Sequence, residues 1–179
     1  MSPRAEDTAD GSPVGTFADS LARLDVPLSR VAPAEATATL ADLVTPPAVG
    51  TPLPERFGFE LPAAVRTDFA PADLRSAATG VTHADFAVAD YGSVALPATP
   101  EGLEPASLFN DTHVVVLRAG DVLPDMPAAF ERLGPRLRDG DSCVLATGPS
   151  ATADLGSLVR GAHGPKEVHV VLVEGNDGD

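Results

Sequence analysis

Tryptophan is absent from this 179-residue chain, cysteine and lysine each occur once (Cys143 and Lys166), and aromatic residues make up only 4%. Each scarcity excludes something. A single cysteine cannot form an internal disulfide, and it cannot ligate an iron–sulfur cluster or a cysteine-rich zinc site within the chain. So few aromatic rings leave the core to Val, Leu and Ala, which the 44% hydrophobic content supplies. No apolar run approaches the roughly 20 residues of a membrane-spanning helix. The start, Met1 to Pro13, is polar and acidic rather than charged and then apolar, so it does not read as a signal peptide. The expected compartment is the cytoplasm.

Basic residues are also scarce. Twelve Lys and Arg face 26 Asp and Glu, for a net charge of −14. Such a surface argues against nucleic-acid binding, which needs basic patches to neutralise phosphates. Acidity combined with a single Lys points to a surface adapted to high salt, where screening tames self-repulsion. An ordinary acidic cytosolic protein is the plainer alternative.

The length fits one domain. Residues 1–13 read as a disordered acidic tail and 14–179 as one α/β domain. A helix is expected next, capped by Thr16, with Phe17, Leu21 and Leu24 on one face. A second is expected from Pro33 to Val44, stopped by Pro46 and Pro47. Thr45 to Pro62 is rich in Pro and Gly and reads as an irregular connection. Pro71 to Ala78 reads as a short helix closed by Gly80. Phe86–Ala89 and Ser93–Leu96 read as paired strands around Asp90-Tyr91-Gly92, with Gly92 free to take positive φ.

Beyond this point strands and helices alternate, which argues for α/β layering. His113–Leu117, Ser142–Thr147 and Val168–Val173 are apolar on both faces, as buried strands are. Their cores, Val114–Leu117, Val144–Ala146 and Val168–Val173, are expected at the centre of one sheet. Between the first two, a helix over Pro124–Arg138 is expected to bury Met126, Phe130, Leu133 and Leu137. Its Arg132, Arg136 and Arg138 would suit the negative end of the helix dipole.

Candidate chemistry sits at the strand ends, where open α/β sheets bind ligands. Gly148-Pro149-Ser150 follows a strand and precedes a polar turn or helix start. Backbone N–H groups there, with the Ser150 and Thr152 hydroxyls, can cradle a carboxylate or phosphate. Ser150 can equally be a helix cap. Asp154 can orient a substrate hydroxyl or brace the loop. His163, in a turn before a strand, can act as acid or base, or stand idle in solvent. Asp90, beside Gly92 and Ser93, can be a base or nucleophile, or ordinary turn chemistry. The histidines match no zinc motif, and no nucleophile elbow, P-loop or dinucleotide fingerprint is present.

Two segments together resemble the LUD-domain family, and within it the lactate-utilisation protein C group. Gly80-Val81-Thr82-His83-Ala84-Asp85 with Ala87-Val88-Ala89-Asp90-Tyr91-Gly92-Ser93 is similar to the family's G-[IV]-T-x-A-D…A-[IV]-A-E-T-G-[ST]. Gly148-Pro149-Ser150, Thr152-Ala153-Asp154 and Gly161-x-His163-Gly164-Pro165, then the Val168–Val173 strand, are similar to its GPS-x-TAD…G-x-HGP…HVVLV ending. Asp90 stands where the family has Glu, Tyr91 where it has Thr, Ala151 where Arg or Lys is common, and Gly156 where Glu is common. A role carried by the Glu or the basic residue would be weakened or moved here.

The resemblance implies a central, mostly parallel sheet flanked by helices, like that of the phosphosugar isomerase and CoA-transferase-like superfamily. It implies a place in a system that oxidises L-lactate to pyruvate, beside iron–sulfur proteins that carry the electrons, with no cofactor in this chain. On that reading Asp90 and His163 are the candidate catalytic groups, and Gly92, Ser93, Gly148, Ser150, Thr152 and Asp154 the candidate binding groups. Two other functions stay open. One is an independent enzyme like a CoA transferase or sugar-phosphate isomerase. The other is a regulatory module that binds a metabolite.

Overall fold

The computed structural model describes residues 11–154, 157–161 and 163–175. Helix α1 (Pro13–Arg23) starts earlier than the sequence suggests. Its cap is Ser12, not Thr16: Ser12 Oγ accepts the Gly15 N–H at 3.0 Å, and Pro13 fills the first turn, where no N–H is needed. Phe17 and Leu21, one turn apart, are its buried face.

Strand β1 (Leu28–Val31) follows, then α2 (Pro33–Leu43), which buries Ala36 and Leu40. The Pro-rich connection is less irregular than expected. It contains β2 (Ala48–Gly50) and a 3₁₀ turn at Glu55–Phe57 that buries Phe57. Next come β3 (Val65–Arg66), α3 (Pro71–Ser76) and β4 (Thr79–His83). Gly80 therefore lies inside a strand and does not close α3. It is where α4 (Leu103–Leu108) crosses β4: a Cβ built on Gly80 would overlap the carbonyl oxygen of Ala106.

The expected strand pair is β5 (Phe86–Val88) and β6 (Ser93–Pro97), antiparallel about a 3₁₀ turn. Gly92 closes that turn at φ 66, which Gly takes without steric cost. Then follow β7 (Thr112–Arg118), β8 (Val122–Leu123), α5 (Met126–Arg138), β9 (Cys143–Thr147), β10 (Ala151–Asp154), β11 (Ser157–Arg160) and β12 (Glu167–Val173).

Six strands form an all-parallel central sheet in the order β1-β12-β7-β4-β2-β3. Its middle is apolar on both faces because both faces are covered. Val114, Val116 and Val171 pack with Ala36 and Leu40 of α2 and with Phe57. On the other side Val115, Leu117, Val170 and Leu172 pack with Phe17 and Leu21 of α1 and with Ala87, Val94 and Leu96. Those last three belong to a second sheet, β8-β5-β6-β9, whose outer face carries α5.

Two expectations fail at this point. Val144–Ala146 is not at the centre of the parallel sheet. It lies in β9, a half-buried edge strand of the second sheet. Val144 faces the core between the sheets while Cys143 and Leu145 face α5, so an edge strand acquires two apolar faces. Burial also pushes the Cys143 thiol up from its ordinary pKa. In α5 the buried residues are Ala129 and Leu133, while Phe130 and Leu137 are 58% and 45% exposed. The helix is turned so that Arg132 and Arg136 reach Asp85 at 3.3 and 3.2 Å, rather than merely completing its dipole.

Candidate functional site

The second sheet and the central sheet part at one end and leave a cavity of about 440 Å³. Val94, Leu96, Val144 and Ala146 line it from the second sheet, and His113, Val168 and Val170 from the central one. His113 and Val168 belong to the N-terminal halves of β7 and β12, and Val170 to the middle of β12. The cavity is therefore not at the carboxyl ends of the parallel strands, where the rule for open sheets would place it. It exists because β6 and β9, antiparallel to each other, end in glycine turns over that part of the sheet: Gly92 precedes β6 and Gly148 follows β9.

Four of the residues singled out from sequence line this cavity: Gly92, Gly148, Ser150 and His163. Gly148 sits at φ 68, so the chain turns there without a Cβ penalty. The helix start expected after Ser150 does not occur. Residues 151–154 form β10, which pairs antiparallel with β11. Ser150 is thus no helix cap, and its N–H is committed to the Pro165 carbonyl at 2.9 Å. Its own carbonyl accepts the Gly161 N–H at 2.9 Å. The hydroxyl is what remains for a ligand. Gly164 backs it closely: a Cβ there would come within 3.0 Å of the Ser150 Cβ. His163 is exposed at the rim.

The other candidates lie apart from the cavity wall. Ser93 is buried, and its hydroxyl shares a 2.6 Å hydrogen bond with Thr147, which does line the cavity. Asp90 is exposed in the turn two residues before Gly92. Its backbone carbonyl accepts the Ser20 hydroxyl at 3.3 Å. Thr152 is in β10 opposite Val159 and does not line the cavity. Asp154 ends β10, and its side chain lies outside the described residues.

The polar residue missed in the sequence is His113. It is 2% exposed, lines the cavity, and its Nε2 lies 2.8 Å from Thr82 Oγ1. Burial lowers its pKa from 6.5 to about 4, so it is neutral at pH 7. The signal was present: His113 alternates with Val115 and Leu117, which face the space between the sheets. With Ser107 and Thr147 the cavity offers neutral hydrogen-bonding groups among Val and Leu side chains. That suits a small, partly apolar molecule with one or two polar groups. Among the described residues no group of three or more His, Cys, Asp or Glu is arranged to hold a metal.

Comparison with known proteins places the site in a family context. The family model described as LUD domain matches residues 54–173, which span β3 to β12. Lactate utilization protein C of Bacillus licheniformis is 32% identical over 100 residues, covering 53% of this chain and 42% of that protein. Lactate utilization protein C of Deinococcus radiodurans is 30% identical over 105 residues, covering 57% and 49%. A protein of Escherichia coli named YkgG is 30% identical over 103 residues, covering 55% and 45%. The matches thus span less than half the length of each of these relatives. The crystal structure of a DUF162 family protein from Deinococcus radiodurans superposes with a TM-score of 0.71 at 20% identity, covering 96% of this chain and 99% of that one. That likeness carries the fold.

Proposed function

The chain belongs to the LUD domain family, and from that premise we propose that it serves lactate utilisation as a ligand-holding subunit without redox centres of its own. Oxidising L-lactate to pyruvate releases two electrons and two protons. On this reading iron–sulfur partner proteins take the electrons, because one cysteine leaves this chain without ligands for a cluster. The observation that carries the proposal is the meeting of Gly92, Gly148, Ser150 and His163 around one 440 Å³ cavity. These residues come from the two segments that resemble the family. The lactate methyl group would lie against Val144 and Ala146. The carboxylate or hydroxyl would meet the Ser150 hydroxyl, with His163 as proton partner at the rim. Ser93 supports the cavity wall through its hydroxyl hydrogen bond with Thr147. Asp90 itself stands in solvent in the turn before β6.

Deleting the gene is expected to abolish growth on L-lactate while leaving growth on pyruvate intact. The native gene should restore it. Ser150→Ala and His163→Ala should restore it poorly at unchanged protein abundance. Full rescue by both variants would remove the cavity from the function.

We place the protein in the cytoplasm; among the described residues no helix is long and apolar enough to cross a membrane. We also read its surface as adapted to high salt. With a charge of −14 and one Lys, the thermal midpoint is expected to rise steadily from about 0.1 M to 1 M KCl, over which the Debye length falls from about 10 to about 3 Å. A midpoint independent of KCl would contradict the salt adaptation.

A further inference from the structure

The cavity between the sheets is larger than lactate needs. Lactate offers its interior one methyl group, whereas about 440 Å³ falls within the roughly 300–1,000 Å³ of cavities that enclose drug-sized ligands. Most of the wall is apolar. Leu21 and Val26 close it from α1 and the loop that follows, Leu96 and Val144 from the second sheet, and Val168 and Val170 from β12. A ligand confined to the rim would leave this apolar surface against water.

Burial grades the polar groups by depth. His163 is exposed at the rim, Ser150 is half-buried, and His113 and Ser107 are 2% and 1% exposed. Nothing at the deep end is charged: among the described residues no Lys, Arg, Asp or Glu lines the cavity. His113 Nε2 is committed to Thr82 Oγ1 at 2.8 Å, and the Ser107 hydroxyl donates to the Glu104 carbonyl at 2.6 Å. What these two side chains have left is Nδ1 of a neutral ring and a hydroxyl lone pair. Neither compensates a buried charge, which costs far more to desolvate than an uncharged chain. A carboxylate therefore fits at the rim, where water and the Ser150 hydroxyl reach it, and an uncharged tail fits beneath.

We propose that the cavity takes aliphatic 2-hydroxy monocarboxylic acids as a class, with lactate its smallest member. The carboxylate lies at the rim and the alkyl chain runs inward to His113. This rests on the reading of that cavity as the acid-binding site. Leu108 limits the length of the chain, since it lines the cavity from the half-buried end of α4, next to Ser107.

The test is calorimetric titration of the full chain with L-lactate, L-2-hydroxybutyrate and L-2-hydroxyhexanoate. Affinity should rise about fourfold with each added methylene, the factor that burying a methylene gives. L-2-hydroxyglutarate, which carries a second carboxylate on its chain, should bind no better than lactate. Excess lactate should displace 2-hydroxyhexanoate, because both occupy one cavity. Leu108→Trp shortens the space, so the three acids should then bind with similar affinity at an unchanged melting temperature. Should that variant melt lower, the comparison with 2-hydroxyglutarate on the native chain decides. Level affinity across the three acids, 2-hydroxyglutarate binding as tightly as 2-hydroxyhexanoate, or no displacement by lactate that itself binds would overturn the proposal. So would a gain with length that survives Leu108→Trp. Binding of the longer acids without lactate would sink the lactate reading alone, and binding of none would sink both.

Discussion

Acidification from pH 6.5 to pH 4 is expected to cost the fold about 3 kcal/mol through His113 alone. In the folded chain burial lowers its pKa to about 4, while the unfolded chain titrates at the ordinary 6.5. Below 6.5 the unfolded state takes up a proton that the folded state refuses. Stability is thus fully present above pH 6.5 and drains away as the pH falls towards 4, at about 1.4 kcal/mol per pH unit. His83 acts in the same direction, since burial lowers it to about 4 as well. Urea denaturation across this range should show a steep loss in the native chain. His113→Gln keeps a hydrogen-bonding group near Thr82 without the titration and should show a shallower loss. Equal slopes would mean that His113 is not the group responsible.

Gly80→Ala is expected to cost about 3 kcal/mol or more, enough to unfold a marginal domain. The added methyl group would meet the Ala106 carbonyl oxygen, which is backbone and cannot rotate aside, so α4 must lift from β4. That shift would disturb the contact of Val49, Leu74 and Ala77 with Ala106. Gly134→Ala is the matched control. It lies inside α5 with only the end of the Arg138 side chain nearby, so the helix should gain about 0.5–1 kcal/mol. A Gly80→Ala chain melting like the native one would contradict the close approach of α4.

The contrast between these glycines shows what is legible in the sequence. Gly92 could be read because a positive φ is a local need at the tip of a strand pair. Gly80 could not, because its constraint comes from a helix 26 residues further along the chain. Val114–Leu117 and Val168–Val173 could be placed at the sheet centre because two apolar faces mean two covering layers. The same pattern misplaced Val144–Ala146, since β9 is covered on both faces by a second sheet's neighbours while remaining an edge. The short strands β1 and β2 went unread. Each has three or four residues, too few for a period to declare itself.

The site divides in the same way. Gly92, Gly148, Ser150 and His163 stand at strand ends, and strand ends were readable. The helix expected after Ser150 was an inference from one polar turn, and a β-hairpin occupies that place. Asp85 with Arg132 and Arg136, 47 and 51 residues away, is a tertiary arrangement with no local signature.

The cavity between the sheets is the centre of the account, and calorimetric titration of the purified chain with L-lactate and with pyruvate tests it most directly. Ala146→Phe would fill the space from the half-buried edge strand β9. The account predicts saturable binding of at least one of the two acids to the native chain, and its loss in the Ala146→Phe chain at an unchanged melting temperature. No binding of either acid, or binding that survives the filled cavity, would contradict it.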